Sequence, residues 1–273
     1  TTLETKEASK IDAYGKVKVF NESWLQQLLH IDEVAAAIRL ALFHRPPSLK
    51  SSRYVREHFD LELVSFIDKM VVANDVVHVS SLLLRMLPGP VLVDAQVLSQ
   101  TLRALDCIED EPIYYGNDTE KKIEAMLAFR DNALGNSDWY LDGVGESPPE
   151  RKLMKEFPKI HRLYKSLRPE SQQVVRDVTQ IMAEGMADFL RKDLSQGTTD
   201  VAEYNRYCYA ISGSVGEGLS RMWAASGLED ASLAHELFLS QQMGNFAIKT
   251  AMIFTFMEDF VDKRMKWPKE IWK

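Results

Sequence analysis

Asp106, Glu109 and Asp110 stand three and four residues apart in a stretch with helical apolar periodicity, so their carboxylates share one helix face. Carboxylates placed this way could hold Mg²⁺ between protein and a diphosphate, because Mg²⁺ takes few protein carboxylates and keeps positions for phosphate oxygens. Glu258, Asp259 and Asp262 repeat the spacing near the other end of the chain. Two such sets on two long helices describe metal clamps facing across a helix-lined cavity. The alternative is a pair of solvated acidic faces, the commoner outcome for a charge triplet taken by itself.

Other chemistries find less support. The six histidines, His30, His44, His58, His78, His161 and His235, form no HxxxH or HExxH pairing, and read as surface or capped residues. Cys107 and Cys208 make neither a CxxC nor a Cys/His cluster, which argues against zinc and a disulfide framework and for a reducing compartment. The run Gly213 to Gly218 follows no strand, so it reads as close helix packing rather than a phosphate loop.

The elements that position these residues read as helices throughout. Apolar residues recur at spacings of three and four, alternating runs are scarce, and Gly and Pro number only 13 and 10 in 273 residues, so the expected class is all-α. After a polar lead over residues 1–20, a helical domain fills 21–273. Its expected helices are Trp24–Leu29; one from an Asp32 cap to Arg45; one or a broken pair over Ser51–Leu87; Val91–Glu111; Asp118–Leu134; Glu150–Leu167; Pro169–Lys192; Val201–Ser226; and a long one over Glu229–Lys266. Phe246, Met252, Ile253, Phe256 and Met257 form an apolar stripe that reads as core before it reads as a lipid pocket. Trp267 and Trp272 read equally as an interface anchor or as internal packing.

With 33 basic against 40 acidic residues the net charge is −7, which argues against nucleic acid as a partner. At 45% hydrophobic and 27% charged the chain can bury a sizeable core. Lys249 interrupts the longest apolar stretch, Asn245–Met257, which is too short to span a bilayer.

Several of these segments together resemble the squalene synthases, head-to-head trans-prenyltransferases of the squalene/phytoene synthase family. Leu102 to Asp110 is similar to LRALDTxEDD, and Ile181 to Leu190 to a helix reading MGxGMAxFL. Tyr207-Cys208 with Gly213, Val215, Gly216 and Gly218–Arg221 is similar to YCxYVAGLVGxGLSRL, and Glu258-Asp259 through Trp272 to the second acidic motif and a WPxEIW tail. The resemblance implies an isoprenoid-synthase-like helical bundle, short on its C-terminal side. It also implies an ancestral reaction in which two farnesyl diphosphates are joined with Mg²⁺ and NADPH. In that reading Arg103 binds diphosphate, and Asp106, Asp110, Glu258 and Asp259 bind metal.

The same comparison shows departures. The family's proposed catalytic tyrosine falls on Ala210, which can neither transfer a proton nor stabilise a carbocation. The leading aspartate of the second motif is Thr255, and the segment Ile248–Phe254 replaces the family's Gln, Asn and Arg before it. The SRSF motif lands on Val77, His78, Val79 and Ser80, and another family tyrosine on Ser99. With several oriented groups gone from one site, little turnover is expected.

These residues lead to the expectation of a catalytically inactive squalene-synthase-like protein that serves as a structural or accessory subunit, with no cofactor, bound to other protein subunits and open to a lipid or isoprenoid. By analogy with a mitochondrial branch of the wider superfamily, and with an N-terminus that lacks Met, the expected location is a mitochondrial membrane complex; the endoplasmic reticulum surface is the alternative. The competing reading is an Mg²⁺-dependent prenyl-diphosphate enzyme or binder.

Overall fold

The computed structural model describes residues 31–43, 52–74, 80–111, 113–116, 118–261 and 263–272; the helix expected at Trp24–Leu29, the polar lead and the position of His78 lie outside them. Among the described residues there are helices and turns and no strand, as the periodicity predicts. In chain order the α-helices are α1 Ile31–Phe43, α2 Arg53–His58, α3 Leu61–Ala73, α4 Ser80–Arg85, α5 Gly89–Asp110, α6 Thr119–Leu127, α7 Phe129–Gly135 and α8 Pro148–Lys155. They continue as α9 Phe157–Ser166, α10 Pro169–Leu190, α11 Val201–Cys208, α12 Ser214–Ser226, α13 Phe238–Phe254, α14 Phe256–Val261 and α15 Lys269–Trp272.

α5 is the hub. Pro90 sits in its first turn, where the missing N–H costs nothing, and Val91, Val93, Val97, Leu98, Leu105 and Ile108 are buried on all its sides. A helix apolar all round belongs at the centre, and α3, α9, α10 and α12 pack around α5. Asp94, buried on α5, is tied to Arg168 at 2.5 Å and to the Ser171 hydroxyl at the start of α10, which fixes how those two helices meet.

Some expected boundaries move for local reasons. The described residues of the Ser51–Leu87 segment form three helices, with Ser52 and Asp60 capping the starts of α2 and α3. The helix expected through Leu134 breaks at Ala128 into α6 and α7. The Val201–Ser226 helix is continuous but carries a π turn over Tyr209–Gly213. The long helix expected over Glu229–Lys266 is a 3₁₀ turn at Ala231–Ala234, then α13 and α14, separated at Thr255.

The glycine run does serve close packing. A Cβ on Gly216 would lie 2.1 Å from the Ser240 carbonyl oxygen, so α12 and α13 approach to backbone contact only because that side chain is absent. The apolar stripe of α13 and α14 departs from expectation. Met252 is buried, but Phe246 and Ile253 are 66% and 60% exposed and Met257 is exposed as well. Met252 turns inward while Phe246, Ile253 and Met257 turn outward, and apolar spacing by itself does not say what covers the outward side. His161 is likewise buried in the core rather than on the surface.

Candidate functional site

The C-terminal half of α5 presents Asp106, Glu109 and Asp110 to one cavity of about 640 Å³, so the i, i+3, i+4 reading of a shared face holds. Lys122 of α6, Lys192 and Tyr207 line its flanks, and Lys263, Arg264 and Lys266 close it from the segment after α14. That segment turns back because Lys263 adopts a left-handed φ of 57° while the Arg264 amide donates to the Asp259 carbonyl at 2.8 Å, a Schellman-type helix end.

Arg103, one turn before Asp106, donates to the carboxylates of Asp106 and of Glu150 at the start of α8. Glu150 is positioned by a capping box: its Oε2 accepts from the Ser147 amide at 2.9 Å, and its own amide donates to the Ser147 hydroxyl at 3.4 Å. Burial pushes Glu150 up, but the Ser147 amide and the Arg103 charge outweigh it and hold the carboxyl below its ordinary value. Burial and then the Asp110 charge push Asp106 up to about 6, against the pull of Arg103. Burial, then Asp106 and Asp110, push Glu109 up to about 7, and burial leads the upward shift of Asp110. The buried phenol of Tyr207 is raised by desolvation and by the carboxylates of Glu109, Asp106 and Asp259.

From the second acidic set, Asp259 is buried and its carboxylate accepts from the Thr255 hydroxyl at 3.2 Å, with Lys266 Nζ at 3.7 Å. The Glu258 side chain and Asp262 lie outside the described residues. Ala210 is 6% exposed and does not line the cavity: its methyl faces Gly185 on α10, where a Cβ would lie 2.3 Å from it. In place of a phenol at that position, the phenol that lines the cavity belongs to Tyr207.

The described members of the acid set do not fit Mg²⁺ well. A divalent ion needs carboxylate oxygens free to converge on it, whereas Asp106 is engaged by Arg103 and Asp259 by Lys266 and Thr255. Among the described residues no group of three Asp, Glu, His or Cys side chains is arranged to hold a metal. What the arrangement can do is hold several charges of both signs around one cavity.

Sequence reasoning did not single out Glu150, Lys122 or the cations at 263, 264 and 266. Glu150 carries a readable signal in Ser147-Pro148-Pro149-Glu150, a capping box, but nothing in it names Arg103 as a partner. The cations stand together as Lys263-Arg264-Met265-Lys266, a charge run whose direction depends on the turn before it.

Comparison with known proteins agrees with this geometry. Residues 77–273 match the squalene/phytoene synthase family. A squalene synthase of Cyberlindnera jadinii is 30% identical over 255 residues, covering 91% of this chain and 54% of that one, and a Botryococcus braunii squalene synthase is 36% identical over 196 residues, 70% and 40% of the two. The chain spans about half the length of the curated relatives it matches. A solved complex of TcSQS with the ligand E5700 superposes with a TM-score of 0.71 at 31% identity, covering 78% of this chain and 60% of the other. By sequence and by helical architecture, the chain belongs to the squalene/phytoene synthase family.

Proposed function

We propose that this domain is a non-catalytic member of its family, kept for its fold and used as a structural or accessory subunit of a larger assembly. The observation that carries the reading is the open apolar face of α13 and α14. Leu239, Met243, Phe246, Ile253, Met257 and Phe260 recur there in a four-three register with Thr250, and all six apolar side chains are exposed. Phe238 and Phe254 beside them are exposed as well, so α13 and α14 carry a concentration of large exposed apolar side chains of the kind that marks an interaction surface. A four-three stripe suits a partner helix laid along it.

The altered site supports the non-catalytic half of the reading. A methyl at position 210, Thr255 at the head of the second motif and carboxylates already paired within the chain each remove a group that condensation would use. Incubation with farnesyl diphosphate, Mg²⁺ and NADPH is expected to give neither squalene nor its cyclopropyl diphosphate precursor; product above a boiled control ends the proposal. The assembly is proposed to be a mitochondrial membrane complex, on family analogy, and native electrophoresis of the endogenous protein with mass spectrometry of its companions tests it.

A second reading, residual prenyl-diphosphate binding, is favoured by the cations around the cavity and by the squalene synthases among the relatives. Titration with a non-hydrolysable farnesyl diphosphate analogue, with and without Mg²⁺, separates the two: saturable metal-dependent binding supports the enzyme lineage's activity, and its absence supports the subunit.

A further inference from the structure

We infer that the chain's own cations, Lys266 above all, take the place of a divalent ion between the carboxylates of α5 and Asp259, so that this end of the domain is held by internal ion pairs and takes up no Mg²⁺. The inference does not depend on the subunit reading, since an inert scaffold or a ligand binder is equally compatible with it.

The need for positive charge is plain. Asp106, Glu109 and Asp110 on α5 face a cavity beside which Asp259 is buried, and carboxylates sharing a space repel unless something neutralises them. Four cations from three elements stand against these carboxylates. Arg103 engages Asp106, and Lys122 Nζ donates to the Glu109 carbonyl at 2.7 Å, which places its charge at the end of α5. Lys266 stands 3.7 Å from Asp259, and its charge acts on Glu109 and Asp110 as well; that of Arg264 acts on Asp110.

Lys266 is held in place by the backbone around it. Its carbonyl accepts from the Thr198 hydroxyl at 2.9 Å, the Lys269 amide donates to the Thr198 carbonyl at 2.9 Å, Met265 before it is buried, and Trp267 after it stacks on Tyr204. A strap pinned on both sides delivers its ammonium to one spot without a large ordering cost at that moment. Asp106 and Asp259 are both already paired, so a dication bridging α5 and Asp259 would have to displace an ammonium from Asp259 and leave that ammonium half-buried without its partner.

The test is thermal unfolding of the full chain in EDTA and in millimolar Mg²⁺, with Mn²⁺ paramagnetic resonance as the direct reading of metal uptake. The wild type is expected to melt at the same temperature in both, within about 1 °C, and to leave the free Mn²⁺ signal undiminished. Lys266→Met is expected to lose roughly 3–6 °C in EDTA and to recover part of that loss with Mg²⁺, while Lys266→Arg keeps the wild-type melt in both. A wild-type chain that takes up Mn²⁺ stoichiometrically, or that melts several degrees higher in Mg²⁺, overturns the inference, as does a Lys266→Met chain that melts like the wild type. If Lys266→Met does not fold, the Mn²⁺ titration of the wild type decides alone. Catalysis is read in neither arm, so failure here and failure of the proposed function are separate results.

Discussion

Arg103 on α5 and Glu150 on α8, 47 residues apart, form an ion pair whose acidic partner also closes the capping box at Ser147. One buried carboxylate therefore starts a helix and holds the guanidinium that in turn holds Asp106. Replacing Glu150 with Ala leaves that half-buried guanidinium short of a partner and is expected to cost about 2–4 kcal/mol, against about 1 kcal/mol for Ser147→Ala, which removes only the cap. Denaturant unfolding of the two variants checks this. Equal losses would mean that the Arg103 tie contributes nothing beyond the box.

Gly185 and Ala210 set how closely α10 and the π turn approach. A methyl on Gly185 would meet the Ala210 methyl at 2.3 Å, with both residues inside packed helical backbone. Gly185→Ala is expected to destabilise by about 1–3 kcal/mol through overpacking, even though Ala is the better helix former. A variant as stable as wild type, measured by thermal melt, would show that the two segments separate freely. Ala210→Tyr is expected to destabilise by at least as much, so restoring the phenol does not by itself restore a site.

What the sequence made legible was mostly local. The helix expected over Val91–Glu111, observed over Gly89–Asp110, was legible because its breakers stand at its start, and its three carboxylates share a face because side-chain direction in a helix is fixed. Glu150 escaped because its partner is distant in the chain. The cations at 263 to 266 escaped because a lysine in left-handed backbone, where Gly or Asn is usual, decides their direction. Phe246 and Ile253 were read as core because apolar spacing identifies a face and cannot say whether anything lies against it.

Glu109 and Asp106 give the molecule a pH dependence of definite sign. Their carboxyls stand at about 7 and about 6 in the folded chain against ordinary values of 4.5 and 3.8, so the folded state keeps protons that the unfolded state releases. Their contribution is intact below the ordinary values and is lost as pH climbs to about 7. Carboxyls held low, such as Glu150 and Glu203, act in the other sense and in a more acid window. The melting temperature is therefore expected to fall between about pH 5 and pH 7.5, and Glu109→Gln to remove most of that fall and gain on the order of 1–3 kcal/mol at pH 8. A wild type whose stability rises over this window would place both groups near their ordinary values.

The stripe on α13 and α14 yields the prediction that most directly separates a subunit from a free-standing domain. Phe246 and Ile253 are largely exposed, so changing both to Glu removes little internal packing and is expected to leave the melt of the isolated chain within about 1 kcal/mol of wild type. The same change puts two charges into any interface laid along the stripe, where each desolvated carboxylate without a partner costs several kcal/mol. In native electrophoresis the double variant is expected to leave the assembly and to run as a monomer, while the wild type runs far above it. A double variant that unfolds would return the stripe to the core, and one that folds and stays in the assembly would show that the partner binds another face. Only loss of the assembly with the fold kept is what an interface on α13 and α14 requires.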